Sequence, residues 1–188
     1  MSDFKLSERT MLEIAEHEGL ILEAYRDSED VWTWGFGVTD ASGHKVDRYR
    51  NKPSTIERAV EVYEWLLRTK YLPEVMRAFK GVALSEAQLT AALSFHWNTG
   101  AILRADWVKS FVAGKRGAAY REFLNWSRPR AIIGRRKAER ALFFKGTWTG
   151  DGFVNHYRRV HANGNPDWSS AHQIDIRPAI KAALEEPA

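Results

Sequence analysis

The sequence predicts a mixed α+β fold, on three observations. Apolar residues recur at helical spacing through most of the chain, often behind a serine that can cap a helix. Near the N-terminus an aromatic stretch, Val31 to Val38, interrupts that pattern with large and small residues in alternation and glycines at 35 and 37. Near the C-terminus the cluster Ala162-Asn163-Gly164-Asn165-Pro166-Asp167 is a strong turn signal between two further extended segments.

Taken in order, Ser7 opens a first helix carrying Met11, Leu12, Ile14 and Ala15, and Gly19 stops it. Glu18 is thus expected at the helix C-terminus, where the macrodipole opposes a negative charge. A strand or hairpin follows at Val31–Val38, then a turn at Asp40–Gly43. Ser54 with Glu57 reads as a capping box for a helix bearing Val60, Tyr63, Leu66 and Leu67. Pro73 restarts the chain into a short helix through Val75, Met76 and Phe79. Ser85 with Gln88 is a second capping box, and the helix behind it is apolar around nearly its whole circumference, as a buried central helix would be. Shorter helices are expected at Trp107–Ala113, Ala118–Trp126 and Arg135–Lys145. A β-hairpin is expected from Phe153–His161 and Trp168–Ile176, and a last helix at about Pro178–Leu184.

A length of 188 residues suits one domain, or one with a small appendage. With no cysteine, thiol nucleophiles, disulfides and thiolate metal sites are excluded, and the fold is indifferent to redox compartment. No apolar run is long enough to span a bilayer, and the polar N-terminus lacks the core of a signal peptide. The expectation is therefore a protein made in the cytosol, without stable membrane insertion. Net charge is +4, with basic residues concentrated from Lys115 to Lys145, which points to an anionic partner without choosing among nucleic acid, membrane and wall polymer.

The chemistry lies around the first turn. Glu18, Asp27 nine residues on and Thr33 six further supply two carboxyls and a hydroxyl, the equipment for glycosidic hydrolysis. Spacing alone does not place them across a cleft. The pattern around them is more specific. Glu18-Gly19, Ala24-Tyr25-Arg26-Asp27 and Thr33-Trp34-Gly35-Phe36-Gly37-Val38-Thr39 resemble the catalytic signature of the phage-type lysozymes, the endolysin muramidases of glycoside hydrolase family 24. Leu84–Gly100 resembles that family's long central helix with Asn-x-Gly at its end, and Gly134–Phe143 resembles its Arg-Arg-x-x-Glu helix. The three blocks cover roughly residues 7–146.

The resemblance implies a lysozyme-like fold: a small β-lobe around Trp32–Thr39 and a mainly helical lobe, joined by a long helix. It implies a catalytic domain at 1–146; residues 147–188, outside the resemblance, are expected as an extension packed on that domain. It assigns Glu18 as general acid, Asp27 as base and Thr33 as its partner in positioning water, with inversion at the anomeric carbon. Trp32, Trp34, Gly37, Val38 and Asn98 are the candidate substrate-binding residues; Trp97, Trp107 and Trp126 read as core. The implied substrate is peptidoglycan, cut between N-acetylmuramic acid and N-acetylglucosamine by a monomer without cofactor or metal. His156, His161 and His172 have no metal-ligand spacing. Access to the periplasm would need a separate holin. Nucleic-acid binding is the least favoured reading of the charge. The rivals are a lytic transglycosylase, which needs one Glu and leaves an anhydro-sugar, and a non-catalytic wall-binding or virion module.

Two departures from the family stand out: Asp30 and Ala131 occupy positions where glycine is usual. Asp30 is expected in a left-handed backbone conformation at some cost. Arg135 and Arg136 are expected to form structural ion pairs, Glu139 among their partners. The tail from Thr147 lies outside the resemblance, and three roles are open to it: packing on the helical lobe, covering the cleft or binding wall.

Overall fold

The computed structural model describes residues 6–185. The chain forms two compact units. One combines Met1–Leu66 with Gly150–Ala188, and the other is Leu67–Thr149.

The first unit starts with α1 (Glu8–Ala15), whose N-cap Ser7 accepts from the Thr10 amide at 3.1 Å. Strands β1 (Ile21–Arg26), β2 (Trp32–Gly35) and β3 (Val38–Thr39) then make an antiparallel sheet in the order β1-β2-β3. The expected aromatic hairpin is thus β2–β3. Strand β1 has no strict apolar alternation, and its register with β2 shifts between Ile21 and Tyr25, a bulge that scrambles a period-two signal.

Helix α2 (Ile56–Leu66) starts one residue later than Ser54 would place it. The Thr55 hydroxyl, not that of Ser54, accepts the Arg58 amide at 3.2 Å, while the Ser54 amide is spent on the Leu22 carbonyl at 2.8 Å. The Ser54–Glu57 box therefore does not form. The C-terminal chain completes this unit with β4 (Phe153–Tyr157) and β5 (Ala171–Asp175), paired antiparallel from Phe153↔Asp175 to Tyr157↔Ala171, then α8 (Arg177–Glu185). The hairpin is present, with strands shorter than expected. Helix α8 packs on α1 and α2, and β4 lies against β1. Met11, Ile14, Leu20, Trp34, Phe36, Tyr63, Ile176 and Ile180 are buried together in this unit's apolar interior.

The second unit opens with a π turn, Leu67–Tyr71, leading into α3 (Leu72–Ala78). Pro73 explains the turn, since it brings no N–H and its ring would clash with the carbonyl four residues back in a regular helix. Helix α4 (Glu86–Thr99) carries the expected box: the Gln88 amide donates to Ser85 Oγ at 3.3 Å and the Ser85 amide to Gln88 Oε1 at 3.0 Å. Every residue from Leu89 to Trp97 is buried. This helix lies wholly inside the second unit; the chain passes between the units where α2 runs into the π turn and again between Thr149 and Gly150.

Helices α5 (Asp106–Val112), α6 (Arg116–Glu122) and α7 (Ile133–Lys145) complete the unit. Trp107 is the centre of its aromatic core, edge-on to Phe95 (5.3 Å, 83°) and Phe143 (5.0 Å, 79°) and tilted against Phe123 at 4.4 Å. Such pairs contribute roughly 0.5–1.5 kcal/mol each beyond burial.

Helix α7 is tied to α4 by a buried polar network. Glu139 accepts from Arg135 Nε at 2.8 Å, from Ser94 Oγ at 2.6 Å and from Arg136 Nη1. Arg136 also donates to Asn98 Oδ1 at 2.6 Å and to the Trp126 carbonyl at 3.1 Å. The ion-pair expectation for both arginines is met. It removes two cations from the basic stretch, and a third, Arg140, lies over the Tyr120 ring at 4.1 Å.

Candidate active site

Glu18, Asp27 and Thr33 all belong to the first unit. Helix α1 ends at Ala15, earlier than expected, and the chain leaves it through tight turns in which the His17 amide bonds the Ile14 carbonyl and the Glu18 amide the Ala15 carbonyl. Glu18 therefore lies just past the end of α1, with its amide on the helix's last carbonyl. Gly19 then takes φ +66, and a Cβ there would stand 3.2 Å from Tyr157 Cε2, so glycine serves both the turn and the close approach.

Asp27 closes the β1–β2 connection. Its Oδ1 accepts the amides of Glu29 and Val31, both at 2.9 Å, and the Thr33 hydroxyl stands 3.1 Å from its Oδ2. The Val31 carbonyl is equally close to that hydroxyl at 3.1 Å, so one proton is shared between two acceptors. Three donors thus fix the plane of the Asp27 carboxylate. Asp30 has φ 59, the left-handed conformation expected of it. Its carboxylate receives Arg26 Nη1 at 2.6 Å, an exposed pair of small energetic value that nonetheless braces the turn.

Tyr25 feels the charge of both carboxylates. Burial first, then the charges of Glu18 and Asp27, then Tyr157, push its phenol well above the ordinary tyrosine range. Glu18 and Asp27 therefore both lie within electrostatic reach of one phenol, which stays protonated. Tyr25 lies inside the quoted motif, yet nothing in its residue type assigns it that place. Tyr157, 132 residues further on by their numbering, has no sequence signal there at all.

The proposed substrate contacts fare unevenly. Trp34 is fully buried, stacked on Tyr49 (3.9 Å, 9°) and donating its indole N–H to the Leu22 carbonyl at 2.9 Å; it is core, not cleft lining. Val38 is likewise buried. Side chains alternate along a strand, so Trp32 and Trp34 point to the face opposite Thr33. Trp32 is half-buried beneath the guanidinium groups of Arg50 (4.1 Å) and Arg26 (4.8 Å), and a Cβ on Gly164 would fall 3.0 Å from its edge. Gly37 is exposed on the β2–β3 turn at φ 80. Asn98 is exposed in the second unit, beside a pocket with Thr99, Asn125, Trp126 and Ile132; Arg136 occupies its oxygen and leaves its NH2 to donate. Trp97 and Trp107 are buried and Trp126 half-buried, in keeping with core roles. No group of three or more potential metal ligands occurs among the described residues.

Comparison with known proteins places this arrangement. The family model described as phage lysozyme matches residues 15–139, which spans both carboxylates, Thr33 and the Arg135–Glu139 network. The chain belongs to the phage lysozyme family. Among relatives of this phage lysozyme family member, an endolysin of Acyrthosiphon pisum secondary endosymbiont phage 1 is 27% identical over 150 residues, covering 73% of this chain and 97% of the relative. A P22 lysozyme mutant superimposes with TM-score 0.60 at 25% identity, over 76% of this chain and 99% of that one. The muramidase domain of SpmX from Asticaccaulis excentricus gives TM-score 0.57 at 25% identity, over 75% and 98%. An endolysin from Escherichia coli O157:H7 phage FAHEc1, at 22% identity and TM-score 0.64 over 79% and 98%, shares the fold. As a member of this family the chain is a glycoside hydrolase that lyses peptidoglycan, on an α+β lysozyme fold.

Proposed function

We propose that the chain hydrolyses the β-1,4 bond between N-acetylmuramic acid and N-acetylglucosamine, with Glu18 as general acid and Asp27 with Thr33 as the water-activating pair. The observation that carries this reading is the Asp27 carboxylate, clamped by two backbone amides and the Thr33 hydroxyl. Glu18 gives its proton to the leaving glycosidic oxygen. Asp27 takes a proton from a water whose oxygen bonds to the anomeric carbon from the opposite face, so the product is inverted. Inverting carboxyl pairs stand about 6.5–9.5 Å apart to make room for that water.

The reading extends to a monomer that needs no cofactor, is made in the cytosol and reaches the periplasmic wall with a separate holin. Neither nucleic-acid binding nor stable membrane insertion belongs to it. Its support is the family resemblance, together with the absence among the described residues of a helix long and apolar enough to cross a membrane.

The test is digestion of purified Gram-negative sacculi. New reducing ends with an inverted anomer are expected, and Glu18→Gln should abolish them while leaving the melting curve nearly unchanged. Retained activity in Glu18→Gln refutes the acid role. Anhydro-sugar ends would replace hydrolysis by the transglycosylase route, and a retained anomer would make Asp27 a nucleophile.

A further inference from the structure

The C-terminal hairpin lies beyond the matched residues 15–139, yet it is built into the edge of the catalytic stretch. The Leu20 amide donates to the Asn155 carbonyl at 2.8 Å, and the Tyr157 amide donates to the Leu20 carbonyl at 2.9 Å. Further along, the Arg26 amide bonds the Gly164 carbonyl at 2.8 Å. The Tyr157 ring consequently lies against Gly19, the residue after Glu18. Trp168 stands edge-on to Tyr157, with ring centroids 4.9 Å apart at 88°, and is 62% exposed, more than any other large apolar residue described.

One exposed tryptophan is ordinary on a protein surface. This one is held on an unusually braced turn. Trp168 opens a one-turn 3-10 helix, Trp168–Ser170, in which Asp167 Oδ1 accepts from the Ser169 amide (3.0 Å) and hydroxyl (2.6 Å). Arg159 Nε donates to Asp167 Oδ2 at 2.9 Å, and Ser170 Oγ donates to the Asp167 carbonyl at 2.6 Å. These bonds fix the backbone that presents an open indole face. Rigid presentation lowers the ordering cost of binding. A pyranose offers a flat face of C–H groups rimmed by hydroxyls, which suits an amphipathic aromatic platform.

We propose that Trp168, supported from behind by Tyr157, is a sugar-stacking subsite for the peptidoglycan glycan strand on the C-terminal hairpin. The inference rests on the hydrolytic reading above, and it gives the extension a role in substrate binding beside Glu18. The occupant is a saccharide of the strand being cut, because the platform is continuous through Tyr157 and Gly19 with the proposed acid.

The experiment measures initial rates of reducing-end release from solubilised glycan strands of defined length, for wild type, Trp168→Ala and Trp168→Phe. Trp168→Ala should raise KM about fivefold to tenfold with kcat nearly unchanged, the size of one lost aromatic contact. Trp168→Phe, which keeps a flat face, should recover most of the difference, and both variants should melt like wild type. Unchanged KM in Trp168→Ala, or a fall in kcat alone, overturns the subsite while leaving the hydrolytic reading intact. Equal damage in Trp168→Phe and Trp168→Ala also overturns it. Failure of the wild type to release reducing ends defeats the hydrolytic reading, and the subsite with it.

Discussion

Glu139→Gln should destabilise the second unit by about 3 kcal/mol, at the low end of the cost of breaking a buried ion pair. The magnitude follows from the surroundings. The Glu139 and Arg136 side chains are 1% and 0% exposed, so water cannot replace what is lost. Glutamate presents two accepting oxygens to Arg135, Arg136 and Ser94, whereas glutamine presents one oxygen and an NH2 that can only donate. One guanidinium must then face a donor, and its buried charge loses its counter-ion. Burial already pulls the Arg136 guanidinium down from its ordinary range, with Glu139 the main opposing influence. For a chain of this length a loss of 1 kcal/mol lowers the midpoint by about 2–4 °C, so a fall of roughly 6–12 °C is expected by calorimetry. Because Arg136 also holds Asn98 Oδ1 and the Trp126 carbonyl, hydrogen exchange should speed at the end of α4. Pairing the change with Arg136→Met should cost less than the sum of the two single changes, since the stranded charge goes too. A midpoint shift under about 2 °C, or strict additivity in the double variant, would refute the reasoning.

Thr33→Val keeps the shape of a buried residue and removes the donor to Asp27; a hydrogen bond to a charged group is worth about 1.5–3 kcal/mol, so kcat should fall roughly 10- to 150-fold, while Thr33→Ser retains most activity. A valine variant at more than half of wild-type kcat would remove Thr33 from the mechanism. Stability should also fall on acidification. His96, 3% exposed, is lowered from its ordinary range by burial despite Glu74 at 2.9 Å, and Lys70 adds to the lowering. A base depressed in the folded state contributes stability that is complete above its unfolded value of about 6.5 and is lost as pH falls through the folded one. Urea midpoints should therefore drop between pH 7.5 and 5.5, and less so in His96→Gln; equal loss in that variant would assign the effect elsewhere, with His44 and His156 next in line.

Much of the local structure was legible because its causes are local. Ser7 and Ser85 cap helices through bonds three residues away, and Asp30 adopts the left-handed turn demanded where glycine is usual. The Arg135–Glu139 pairing is an i, i+4 contact of the same kind. The carboxylates and Thr33 were legible only as a family pattern, since nothing in their spacing states that Asp27 and Thr33 meet.

What escaped depends on partners remote in sequence or on strand geometry. Trp32 and Trp34 seemed natural cleft residues because they flank Thr33, but neighbours along a strand face opposite ways. Whatever face Thr33 gives to Asp27, both indoles must give the other, and Trp34 is committed to Tyr49 and the Leu22 carbonyl. The extension is the larger case. Glu13, 2% exposed on α1, has its carboxylate bonded to the Gly150 amide at 2.8 Å across 137 residues, and Leu20 is paired with Asn155 and Tyr157. A buried carboxylate and a strand edge each need partners that no local window supplies. The residues after Thr149 provide them, so the segment that looked like an appendage is the part of the first unit that satisfies the backbone beside Glu18. Its removal would take from Leu20 the partners of its amide and carbonyl, two residues after the acid, and from Glu13 the Gly150 donor.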